Sequence, residues 1–70
     1  MTEASKSEIG QVVRERREAL GLSREALAVM AGVSDRTLAR IEAGYVRPRR
    51  ATLAVIEQAL ADEEAEGVPA

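Results

Sequence analysis

Apolar residues recur three or four positions apart in four separate runs along the chain, the spacing that gathers one stripe on one side of a helix. Ile9, Val12, Val13 and Leu20 make the first stripe. They predict a helix from residue 7 or 8 to residue 20, with Ser7 as N-cap and Glu8 at the positive end of its dipole. Arg16 falls on this stripe with Arg17 beside it, and either can lay its aliphatic stem on the core and keep its head at the edge. Gly21 comes next, in the C′ position. Leu27 and Ala31 mark the buried side of a second helix, capped by Ser23 and running from Arg24 to Met30. Ser34 caps a third, whose stripe is Leu38 and Ile41 and which ends at Gly44. Pro48 prevents a helix from continuing through the basic segment after Gly44, so a fourth helix is expected over residues 49–61 on Leu53, Ile56 and Leu60. Residues 1–7 form a polar, flexible start and residues 62–70 a frayed acidic tail. The expected fold is all-α, a compact bundle of four or five short helices occupying residues 8–61.

The second and third stripes are hinged at Gly32. A helix-turn-helix needs a small residue where its helices touch, here Ala28, and a glycine that takes φ > 0 at the turn. Leu27, Ala31, Val33, Leu38 and Ile41 are the apolar residues that close such a corner. In the third helix Leu38 and Ile41 share one side, while Arg36, Ala39 and Arg40 share the other. Thr37 sits on the flank, and Glu42 lies next to the core face.

Composition narrows the function classes. Seventy residues hold one small domain. Without Cys or His there is no disulfide, no thiolate site, no usual general base and no common zinc ligand. Enzymatic chemistry, a metal and a cofactor are therefore not expected. With no Phe or Trp and only Tyr45, the core must be Leu, Ile, Val, Met and Ala, which suits helices better than a sheet. No apolar run approaches the roughly 20 residues that span a bilayer. The start of the chain lacks the apolar core of a signal peptide. A cytoplasmic protein, working at the nucleoid, is the expectation.

The formal charge of −2 is unevenly spread. Residues 11–50 hold nine Arg against Glu15, Glu18, Glu25, Asp35 and Glu42, whereas residues 51–70 hold five acids and no base. Clustered Arg of this kind is a nucleic-acid footprint that the whole-chain charge hides.

These residues resemble the lambda-repressor-like family of helix-turn-helix regulators, of the Cro and phage-repressor type. The matching positions are Ile9-Gly10, Val13-Arg14, Arg17, Leu20-Gly21-Leu22-Ser23, Leu27-Ala28, Gly32-Val33-Ser34, Leu38, Ile41-Glu42, Gly44, Pro48, Leu53, Ile56 and Leu60. The resemblance implies a homodimer on a two-fold DNA operator and no catalysis. It also implies that Arg17 pairs with Glu42 to set the angle of the recognition helix, against the alternative of an incidental surface pair. The chain departs from the family pattern at Arg16, Arg24, Arg50 and Glu57, and shows no evident fifth helix.

On this reading Arg36 and Arg40 are placed to donate to guanine in the major groove, each worth about 1–3 kcal/mol of discrimination. Asp35 either accepts from cytosine or helps cap its helix, and Ala39 either touches a thymine methyl or is only a good helix former. Ser23 and Arg24 at a helix N-terminus, Thr37, and the basic run Arg47, Arg49 and Arg50 would meet phosphates. A solvated basic loop is the plainer reading of that run. Neutralising about five phosphates per half-site would steepen the salt dependence by about 0.9 per contact. Val55 and Val68 are candidates for the dimer contact, although a single exposed Val is ordinary. Double-stranded DNA is the expected partner, with no membrane and no small-molecule ligand. The competing class is a helical protein-interaction module, such as an antitoxin whose acidic tail covers a protein partner.

Overall fold

The computed structural model describes residues 5–66 and contains four helices: α1 (Lys6–Ala19), α2 (Arg24–Ala31), α3 (Asp35–Glu42) and α4 (Arg50–Glu66). No strand occurs among the described residues. Serine caps the first three helices, each Oγ accepting from the backbone N–H three residues on: Ser5 from Glu8, Ser23 from Ala26 and Ser34 from Thr37. α1 therefore begins earlier than expected, and Ser5 replaces Ser7 as its cap. The run Ser5-Lys6-Ser7-Glu8 carries the serine and glutamate spacing of a capping box, and that places Glu8 in the first turn. Between α2 and α3 the chain reverses at Gly32, whose φ of 72° is left-handed, and Val33 N–H closes the turn on the Ala28 carbonyl at 3.0 Å.

The core is built from Val13, Leu27, Ala28, Ala31, Leu38, Ile41, Ile56, Ala59 and Leu60, with Leu20, Val33, Val46 and Leu53 packed against it. α2 lies against α3 and α4, and α1 crosses α3 and α4. The α1–α3 crossing is close enough to demand a residue without a side chain. A Cβ on Gly10 would overlap the Ile41 carbonyl oxygen and sit 2.9 Å from that of Glu42.

Two further expectations need correction. The first stripe is only partly covered: Val13 is buried, Ile9 half-buried, and Val12 is 51% exposed. The reason is that α1 meets α3 along Gly10 and Val13. Ile9 and Val12, with Val13 and Leu53, are left to line an open groove of about 350 Å³ between α1 and α4. The tail expected to fray from residue 62 is instead helical through Glu66. Ala and Glu are good helix formers, and tertiary contact adds to that. Nε and Nη2 of Arg16 donate to the two carboxylate oxygens of Glu64 at 2.9 and 2.6 Å. Arg16 does lay its stem on the fold, but its head is tied to the end of α4.

Candidate nucleic-acid interface

α3 buries Leu38 and Ile41 completely, and this fixes which side of the helix faces out. Arg36 and Arg40 lie one turn apart on that outward side and are exposed. Neither side chain has a hydrogen-bond or ion-pair partner among the described residues. Ala39 between them is half-buried and presents no bulk. Thr37 is exposed on the flank. The Ser34 hydroxyl donates to its Oγ1 at 2.8 Å, so the Thr37 hydroxyl keeps its own proton for an outside acceptor. Ser23, exposed at the start of α2, spends its oxygen on the Ala26 cap and likewise keeps a proton to donate.

A largely buried ion pair ties α3 to α1. Arg17 on α1 holds the Glu42 carboxylate with Nε to Oε2 at 2.8 Å and Nη2 to Oε1 at 2.9 Å. Its Nη1 donates to the Leu22 carbonyl at 2.8 Å. The side chains retain 12% and 7% exposure. Hydrogen bonding to Glu42 raises the Arg17 pKa above its ordinary value despite the opposing cost of burial. One guanidinium thus joins the end of α3, α1 and the loop before α2.

Arg24 and Asp35, which the sequence assigns to separate contacts, are brought together. Nε of Arg24 donates to Oδ1 of Asp35 at 3.0 Å. The segment after α3 carries Arg47 and Arg49, with Tyr45 at 74% exposure, and Arg50 opens α4 directly after it. Val55 is 43% exposed on α4, and Val68 lies outside the described residues.

Several contributors escape a reading of the sequence. Gly10 carries a signal, a glycine inside a helical pattern, which marks close backbone approach. The Arg16–Glu64 and Arg24–Asp35 pairs carry none, because each depends on how two helices cross.

The arrangement is a helix-turn-helix with an arginine-bearing outward face and serine-capped helix ends beside it. Among the described residues no group of acidic, Cys or His side chains could hold a metal ion, and no helix is long and apolar enough to cross a membrane. A comparison with curated proteins finds no match. The family model described as helix-turn-helix matches residues 13–61, a span that takes in Arg17, the whole turn motif, the basic loop and most of α4. The chain therefore belongs to the lambda-repressor-like helix-turn-helix family, and is a DNA-binding transcription regulator of that general kind.

Proposed function

We propose that the protein is a repressor that binds a two-fold operator as a homodimer and regulates its own operon, in the cytoplasm at the nucleoid. The observation that carries the reading is the pair Arg36 and Arg40, exposed and unpaired among the described residues on the face of α3 opposite buried Leu38 and Ile41. Each guanidinium can donate two parallel hydrogen bonds to guanine O6 and N7. Ala39 permits close approach between them, and Asp35 at the start of the helix retains acceptor capacity toward a cytosine amino group. Ser23, Arg24, Thr37, Arg47, Arg49 and Arg50 supply phosphate contacts, which set register and carry no sequence information of their own. A two-fold dimer would set its recognition helices in successive major grooves about 34 Å apart. Val55 on α4 is the exposed apolar residue offered to the second copy. The expected domain is residues 8–61, with α4 continuing into the acidic end.

Selection of bound duplexes from a random pool tests this, run with wild type, Arg36→Ala and Arg40→Ala. The expected result is an enriched two-fold site whose half-sites relax at one base pair in each variant. An enriched site without symmetry would retain DNA reading and remove the dimer. No enrichment at low salt would transfer the chain to the protein-interaction class.

A further inference from the structure

Arg24 is the first residue of α2 and Asp35 the first of α3, so their side chains meet across the helix-turn-helix itself. Besides the Nε–Oδ1 bond of 3.0 Å, Nη2 of Arg24 reaches Oδ2 at 3.4 Å. The side chains remain 41% and 43% exposed. An ion pair this open contributes little to stability. It is also not needed as a cap, since Ser34 already caps α3. Its consequence falls on the surface offered to DNA.

A guanidinium has five N–H donors in a fixed plane. Asp35 takes two from one edge, leaving the opposite edge to point in a single direction. The carboxylate also cancels the charge by which Arg24 would attract any phosphate within reach. We propose that Asp35 is a positioning residue for specificity. It holds Arg24 in one orientation at the start of the recognition helix, toward a phosphate oxygen whose position follows the shape of the duplex, and withholds its net charge from DNA that places none there. The inference rests on the DNA-binding function proposed for α3 and deepens it. On the correct duplex the free edge of Arg24 meets its acceptor without rearrangement. On other duplexes the pair is electrically neutral and adds little.

The test uses the full chain with two labelled duplexes, the one enriched from the random pool and a scrambled one of equal composition, over a salt series. Asp35→Ala is expected to tighten scrambled binding and steepen its log–log salt slope by about 0.9, one released phosphate contact. The preference for the enriched duplex should fall about two- to fivefold, the scale of one open ion pair. Asp35→Asn, which keeps the shape, should move the same way. Arg24→Ala leaves a bare carboxylate beside the phosphates and should weaken both duplexes, whereas Arg24→Ala with Asp35→Ala should recover scrambled binding. A merely structural pair would not produce that recovery at unchanged thermal midpoints. Unchanged scrambled affinity and slope in Asp35→Ala, or a double variant no better than Arg24→Ala, overturns the inference alone. A wild type that binds neither duplex overturns the DNA reading and the inference with it.

Discussion

Arg17 and Glu42 stand 25 positions apart and meet in a nearly closed site, with two hydrogen bonds between them and a third to the Leu22 carbonyl. Removing one partner leaves the other charge buried and uncompensated. Arg17→Ala should therefore cost about 3–5 kcal/mol, measured as the change in unfolding free energy from urea titration. A loss below about 1 kcal/mol, the range of an open surface pair, would show that the site admits water. Replacing both residues by apolar ones of similar size should restore much of the loss, because the desolvation of two charges disappears with them. At Gly10 the limit is geometric. An added Cβ runs into the Ile41 carbonyl, a backbone atom that moves only if α3 moves. Gly10→Ala should lower the melting temperature and weaken DNA binding together, and it would distinguish a rigid α1–α3 crossing from a compliant one.

At the scale of elements, each of the first three helices begins at a serine whose partner lies three residues away, so their starts are local events. The end of α4 is different. Its last turns carry Asp62, Glu63, Glu64 and Glu66, and negative charge at a helix C-terminus opposes the dipole. Arg16 offsets this by holding Glu64, which lowers the Glu64 pKa through that hydrogen bond. A carboxylate with a lowered folded pKa contributes stability that is present above its unfolded value of about 4.3 and is lost as pH falls through the folded value. Glu63 runs the other way: the neighbouring Glu66 carboxylate can accept a hydrogen bond only from its protonated form, which raises its pKa, so protonation there favours the folded state. The difference between wild type and Glu64→Gln isolates the Arg16 contact. In thermal melts that difference should be present at neutral pH and shrink below about pH 4. An unchanging difference would mean that the pair does not hold α4.

For the whole molecule, charge is segregated along the chain. The nine arginines fall on α1, on the turn motif, on the loop leading into α4 and on the first residue of α4, while the rest of α4 and the end of the chain are acidic. On the DNA reading, Arg49→Ala and Arg50→Ala should each weaken binding to all duplexes alike and reduce the salt slope by about 0.9. Arg36→Ala and Arg40→Ala should instead change which duplex is preferred. If loop variants altered preference, the loop would be entering a groove. Val55→Asp should lower the molecular mass measured in solution if α4 joins two copies, and leave it unchanged if Val55 is simply exposed.

The four helical runs, the turn at Gly32, two of the three serine caps and the outward placement of Arg36 and Arg40 are all legible in the residue order, which leaves a fifth helix open. Each depends on interactions within one helical turn or on the side where apolar residues fall. The same periodicity places Val12 among core residues, because spacing tells which side of a helix is apolar but not whether a neighbour covers it. Ser5 and Ser7 are both capping residues next to one stripe, but only Ser5 has a glutamate three residues on, a capping-box spacing that apolar periodicity alone passes over. The pairing of Arg16 with Glu64 and of Arg24 with Asp35 belongs to the packed molecule. Those contacts span 48 and 11 positions, and they exist only because the crossing angles of the packed helices bring opposite charges within hydrogen-bond reach.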